Sequence, residues 1–306
     1  MANWREWWYI PRMSRRIFLV AILAGVLAMG AFAQAFTVSY LDGTVEMQTT
    51  RGWKAISIGD QVPTDATIRI SQTGSLELLK ARTKITLLKD GVYSMASLSA
   101  AAGKGASEGV GSTIAQKLQT LVTEKPKSSA AGGVRGAEQG TASVTWVDEN
   151  DETRTKVQSL LEKNRYTEAV SVLNNAIKDS SSDADTAEFT YLLGVAYYDA
   201  GQTAKAYRAL TRVTPQPDAA WYARYVILKA QVLVDTQNYR DALGILTPFI
   251  SAHPTGEATQ VAYLLSGLSQ KGLGDKAAAR AALDSGFQLD PGSDTAKLID
   301  QQRSSL

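Results

Sequence analysis

The chain has 306 residues, 32 basic and 30 acidic side chains for a formal net charge of +2, no cysteine and a single histidine. That length allows two domains. The missing cysteines exclude disulfides, thiolate metal sites and a lipidated N-terminal cysteine, and the balanced charge argues against an electrostatic nucleic-acid binder, which needs a basic stripe.

At the start, Arg12, Arg15 and Arg16 precede an apolar run from Ile17 to Ala33 that closes on Ala31-Phe32-Ala33. A basic segment, an apolar core and small residues at a cleavage point are the parts of a secretory signal. Cleavage after Ala33 would leave Gln34 first and place the protein in the periplasm. The alternative is an uncleaved signal anchor in the inner membrane, facing the periplasm, because seventeen apolar residues just span a bilayer. Membrane contact is then expected only through that segment. Trp4, Trp7, Trp8 and Tyr9 suit a membrane interface; a start at Met13 would omit them. From Gln34 onward the chain holds 28 basic and 29 acidic groups.

Residues 36–95 alternate short runs rich in Val, Ile, Thr and Tyr with turn dipeptides. The pattern predicts seven strands: Phe36–Tyr40, Thr44–Gln48, Trp53–Ile58, Thr67–Ile70, Ser75–Leu79, Lys84–Leu88 and Val92–Met95. Asp42-Gly43, Arg51-Gly52, Gly59-Asp60, Thr73-Gly74 and Asp90-Gly91 supply the turns, where hairpins need positive φ. Strands this short and this closely spaced indicate a small antiparallel sandwich or rolled sheet. The stretch resembles a FecR-type domain through Gly43, Val45, Trp53, Gly59, Asp60, Ile68 and Arg69. Gly133-Val134-Arg135-Gly136-Ala137-Glu138 is similar to that family's second signature, with Ala137 in place of threonine. The resemblance implies an envelope-facing β domain. It also raises a sensor role in siderophore-type signalling. Only about sixteen residues precede the apolar run, too few for the cytoplasmic segment by which that family's regulators hold a sigma factor.

The β-domain core is expected over 34–98. An Ala/Gly/Ser-rich linker follows over 99–140. It contains one predicted helix, Thr113–Thr123, and Thr141–Val147 reads as a strand returning to the sheet. The glycines at 103, 105, 109 and 111 lead into Ser112-Thr113 without the lysine of a phosphate loop, so they read as linker. Asp148, Glu149, Asp151 and Glu152 could touch a cation, but they also suit a helix N-terminus, where carboxylates meet the positive end of the dipole.

Residues 148–306 read as a solenoid of about four helical hairpins. Ala169, Ala206, Ala242 and Ala279 lie 37, 36 and 37 residues apart. A turn stretch precedes each: Lys163–Tyr166, Gly201–Thr203, Gln237–Tyr239 and Gly274–Lys276. Pro217, Pro254 and Pro291 close three of the units, with Ser181 in the first. Gly194, Ala230 and Gly267 on the first helices face the aligned alanines; helix axes approach closely only where side chains are short. The segments LLGVAYYDAGQTAKAYRAL at 192–210 and QNYRDALGIL with His-Pro at 237–254 resemble the tetratricopeptide repeat. The period of 36–37 exceeds that family's, and the first copy carries Val157 where a small residue belongs.

The fold class is thus α+β in two domains, a small all-β domain before an all-α repeat array. The repeat resemblance implies a partner-binding groove lined by the first helix of each hairpin. Its matching positions are Tyr191, Val195, Tyr198, Asp199, Arg224, Ile227, Gln231, Asp235, Leu264, Leu268 and Lys271. No catalytic constellation, metal site or cofactor motif emerges. His253 lies in an Ala-His-Pro turn, the wrong setting for a serine-type triad. The reading is a non-enzymatic exported scaffold whose partners are envelope proteins. A peptidoglycan- or glycan-binding role for the β domain is the alternative.

Overall fold

A computed structural model describes residues 35–81, 83–104 and 149–306. The signal segment, the helix at Thr113–Thr123, the Val-Arg-Gly stretch and the strand at Thr141–Val147 lie outside the described residues. The chain forms two compact units, Met1–Gly105 and Ala106–Leu306. Its architecture is α+β, with strands in the first unit and helical repeats in the second.

The first unit contains β1 Ala35–Asp42, β2 Val45–Thr49, β3 Gly52–Ala55, β4 Gln61–Pro63, β5 Thr67–Ile70, β6 Ser75–Lys80, β7 Thr83–Leu87 and β8 Gly91–Ser94, then helix α1 Met95–Lys104. They pair into two antiparallel four-stranded sheets, ordered β4-β1-β6-β7 and β3-β2-β5-β8. Period-two alternation builds one shared core: Phe36 and Val38 from β1, Ile68 and Ile70 from β5, and Leu76 and Leu78 from β6 are all buried. A bulge at Ser39 shifts the β1–β6 register between Val38 and Tyr40.

Sequence pattern missed β4, because only Val62 of its three residues is buried and one apolar position makes no alternation. Met95 does not end a strand. It opens α1, which runs through residues expected to be linker. Its side chain is buried in the sheet core and Leu98, one turn on, packs against the same core. Four of its other eight residues are alanines, which form helix at little entropic cost. The Thr73-Gly74 turn also differs from expectation. Thr73, not Gly74, takes positive φ, at 63°. Gly74 is needed for space: a Cβ there would lie 2.7 Å from Ile70 Cγ2 and 2.9 Å from the Ser71 carbonyl.

The second unit stacks α2 Glu149–Glu162 on α3 Tyr166–Asp179, α4 Asp183–Asp199 on α5 Thr203–Thr211, α6 Tyr222–Asp235 on α7 Tyr239–Ala252, and α8 Glu257–Gly272 on α9 Lys276–Leu289, with α10 Asp294–Ser304 closing the end. The four aligned alanines are fully buried. A Cβ on Gly194 would meet Leu210 at 2.9 Å, and one on Gly267 would meet Leu283 at 2.6 Å, so these glycines are required by helix contact.

Each hairpin turns by the same device. Asn164, Gly201, Gln237 and Gly274 all adopt left-handed backbone. Their amides bond to Leu161, Tyr198, Val234 and Lys271 carbonyls, and the following amides reach back to Leu160, Tyr197, Leu233 and Gln270. This paired closure is the Schellman arrangement, which satisfies carbonyls that a helix end leaves open. The left-handed residues keep the spacing of the alanines, so turn chemistry and core packing repeat in one register.

Candidate functional site

The first helices of the hairpins lie side by side. Besides its own partner, α6 touches α4 and α8, and α8 touches α10. Together α2, α4, α6 and α8 line one face of the array. Residues on this face answer to two demands: some fill seams between neighbouring hairpins, and others remain open to solvent.

The seams are crossed by polar contacts. Between α2 and α4, Arg154 pairs with Asp185 and with Glu188, the latter at 3.1 Å, and Asn150 Nδ2 donates to Asp185 Oδ2 at 2.9 Å. Burial works against the Arg154 charge, yet Glu188, Asp151 and Asp185 outweigh it and raise its pKa. Between α4 and α6, Tyr198 Oη donates to Asp235 Oδ2 at 2.8 Å, and Gln231 Nε2, one turn back on α6, holds Asp235 Oδ1 at 2.7 Å. Burial, and then Asp235, drive the Tyr198 pKa upward. Between α8 and α10, Lys271 Nζ donates to Ser305 Oγ at 2.7 Å.

An aromatic cluster joins the start of α6 to α4. Tyr191 and Trp221 stack with centroids 5.1 Å apart, and Tyr225 meets both edge-on. Tyr225 Oη lies 2.9 Å from the Leu210 carbonyl and 3.1 Å from that of Val213, and accepts from Lys229 Nζ at 2.8 Å. Burial pushes the Tyr225 pKa up to about 12 and lowers that of Lys229. Tyr191 is buried with no partner for its hydroxyl. Burial raises its pKa, Arg224 offsets this, and Asp199 and Glu188 add to it.

Of the eleven positions the sequence assigns to a groove, Tyr191, Val195, Ile227, Gln231 and Leu264 are buried. Tyr191, Ile227 and Leu264 occupy the same repeat position. Stacking α4, α6 and α8 covers that position, so it is core between hairpins rather than open groove. Tyr198, Asp199, Arg224, Leu268 and Lys271 are half-buried and Asp235 is exposed; these six remain on the accessible face. Trp221 and Glu188 escaped sequence reasoning. Trp221 precedes its helix, where periodicity does not reach, and Glu188 lies one turn before the first position chosen on α4.

Beside this face, a cavity of about 440 Å³ lies between the first hairpin turn, Asn164 to Glu168, and the end of α4 at Asp199, Ala200 and Gln202. Asp199 Oδ2 is buried without a partner, and burial pushes the Asp199 pKa up to about 6. His253 ends α7 with its ring stacked on Phe249 at 4.7 Å and Nδ1 3.2 Å from the Phe249 carbonyl, a structural turn residue. Among the described residues no group of three or more histidines or carboxylates gathers into a metal site.

A family model described as anaphase-promoting complex, cyclosome, subunit 3 matches residues 162–249, from the first hairpin turn through most of α7. Solved structures similar to the chain include MamA 41-end from Desulfovibrio magneticus RS-1, at 21% identity over 52% of this chain and 93% of that one, with a TM-score of 0.42. Another is a MamA RS-1 ArsTM double mutant, at 20% identity over 52% of this chain and 97% of that one, TM-score 0.41. A third is MamA MSR-1 C2, at 23% identity over 51% of this chain and 86% of that one, TM-score 0.38. No curated protein matches the chain. The second unit is an array of helical hairpins that resembles a tetratricopeptide-type solenoid.

Proposed function

We propose that this protein is a non-catalytic adaptor exported to the bacterial envelope, and that its repeat array holds a segment of another envelope protein. The observation that carries the reading is the face lined by α2, α4, α6 and α8. Its seams are tied by side-chain contacts, which fix the face before any partner arrives, and pre-ordering reduces the entropy lost on binding. Arginine and large aromatics, the residue types that dominate binding energy at interfaces, stand on or beside it as Arg224, Tyr198 and Trp221.

The first unit is read as a FecR-type domain that engages a second envelope component. The positions behind that resemblance have physical jobs. Val45 and Ile68 fill the core, Gly43 and Gly59 take positive φ, and Asp60 Oδ2 accepts from the Ser57 amide at 2.9 Å. A glycan-binding role for this unit has its own support in Trp53. It pairs with Gln48 across β2 and β3, on the face opposite the core residues Val45 and Met47. Arg69 lies over its ring at 4.4 Å and is held by Glu46. An aromatic plate flanked by a charged pair suits a sugar ring. Co-sedimentation with purified sacculi separates the readings: loss of pelleting in Trp53→Ala supports the glycan role, and a chain that never pellets removes it.

Site-specific photocrosslinking in cells tests the main proposal. Probes at Arg224 and Leu268, on the inner face, should trap one common envelope protein. Probes at Arg240 and Arg280, exposed on the second helices, should not. Equal trapping from both faces, or none from the inner one, defeats it. N-terminal sequencing of the fractionated protein decides between cleavage after Ala33 and a retained anchor.

A further inference from the structure

The cavity beside the first hairpin turn breaks the repeat. Tyr166 and Tyr239 occupy the same place two hairpins apart, and so do Asp199 and Gly272, each pair 73 residues apart. At the later site the tyrosine fills the gap between hairpins. A Cβ on Gly272 would lie only 2.3 Å from Tyr239 Cζ, so the ring rests where a side chain would otherwise stand. At the earlier site Asp199 has a side chain there. Tyr166 instead donates to Asn164 Oδ1 at 2.5 Å, and the gap stays open as the cavity.

The charges around that gap do not balance. Arg165 is engaged on two nitrogens by both carboxylate oxygens of Glu168, so that pair cancels. Asp199 is the remaining charge of the lining, and one of its oxygens is buried with no donor. It also sits at the end of α4, whose last turn has no basic residue. A helix C-terminus carries partial negative charge and favours a cation. A metal ion would need several more oxygen ligands than one free carboxylate supplies, and an anion would face uncompensated negative charge.

We propose that this cavity binds an organic cation, an ammonium or guanidinium group, that pairs with the Asp199 carboxylate. Thr167 offers a hydroxyl acceptor in the same lining and Tyr166 an aromatic ring, which attracts cations over its face. Gln202 Oε1 is already occupied by Lys205 Nζ at 2.7 Å. The cation comes either from a lysine or arginine side chain of a bound polypeptide or from a free small amine. The site does not depend on the inner face docking a protein, so it stands or falls separately. Its pH dependence follows from Asp199, whose pKa burial raises to about 6. The ionisable groups sharing its lining are Arg165, Tyr166 and Glu168 from the first hairpin; Tyr191 and Tyr198 of its own helix feel its charge, and Lys205 of α5 is held by Gln202.

The test is amide NMR of the full chain, titrated with n-butylammonium chloride and with the peptide acetyl-Gly-Lys-Gly-amide. Sodium chloride of equal ionic strength and butanol serve as controls. Saturable shifts centred on Thr167, Ala200 and Gln202 are expected, with affinities on the order of millimolar. Asp199→Asn keeps the shape and removes the charge, and should weaken both ligands by roughly ten-fold, as one lost ion pair implies. The same weakening is expected in the native chain about two pH units below the Asp199 pKa. A peptide that binds roughly ten-fold tighter than butylammonium assigns the site to a polypeptide side chain; equal affinity assigns it to a free amine. Shifts that never saturate, or that persist in Asp199→Asn and at low pH, overturn the proposal.

Discussion

Asp199 shows how one side chain acquires a property that its own neighbourhood in sequence does not announce. Repeat register places it on the first helix of a hairpin, and that much is legible. Its desolvation arises only once the array has folded around it, and no local pattern announces that burial. The linkage has a definite sign. The folded carboxyl titrates at about 6, above the roughly 4 of an unfolded aspartate. The folded state therefore holds the proton more tightly, and stability falls as pH rises between those values. Above about pH 6 the ionised group costs the fold up to roughly 2–3 kcal/mol. Asp199→Asn removes that cost, so urea unfolding at neutral pH should show a gain of about 1–2 kcal/mol. The gain should shrink through about pH 4 and vanish below about pH 3, where the carboxyl is protonated in the folded and the unfolded state alike. An asparagine variant that is less stable than the parent at neutral pH would show that the ionised form has a partner. Tyr191, Ile227 and Leu264 teach the complementary lesson. Sequence identifies which helix they belong to, but whether the next hairpin covers them depends on how closely the first helices stack.

Among the elements, the hairpin turns carry the clearest local signal. Gly201 and Gly274 announce themselves, since glycine meets positive φ without steric cost. Asn164 and Gln237 occupy the same left-handed position, at φ of 57° and 60°, and only alignment to their repeats reveals them. Gln237 is the costlier of the two, because asparagine tolerates this region better than most residues. Replacing Gln237 by glycine should stabilise the array by about 0.5–1 kcal/mol, the left-handed penalty less the extra entropy that glycine gives the unfolded chain. Gly274→Ala should cost about 1 kcal/mol. Thermal unfolding of the two variants should move in opposite directions. A common direction would mean that the turn conformation is not what limits them. Elements that escaped the sequence did so for related reasons: β4 is too short to alternate, and α1 owes its helix to alanines whose composition also reads as linker.

For the array as a whole, stability is close to a sum over repeats and the contacts between neighbours. The last hairpin therefore needs a cover, and α10 provides it. Thr295, Ala296, Ile299 and Gln302 face inward and are buried, while Asp294, Lys297 and Asp300 face solvent. Arg303 reaches Asp284 of α9 at 2.7 Å and lies over Phe287 at 5.0 Å. At the junction, buried Gln260 of α8 donates to the Gly286 and Asp290 carbonyls and accepts from Ser293 Oγ at 2.7 Å. Sequence periodicity counted the four hairpins but did not set this helix apart, because its apolar face is only two residues wide. A chain ending at Asp290 loses the burial of Ile299, worth about 2–3 kcal/mol, and leaves Gln260 Oε1 without its donor, at about 1–3 kcal/mol. Urea titration followed by helical circular dichroism should place the truncated chain at least about 3 kcal/mol below the full one. If α10 were not integral to the array, the midpoint would stay where it was. A loss on that scale would mean that the hairpins require a terminal cover, and that the end surface of α8 and α9 beneath α10, unlike the face carrying Leu268, is not open to a partner.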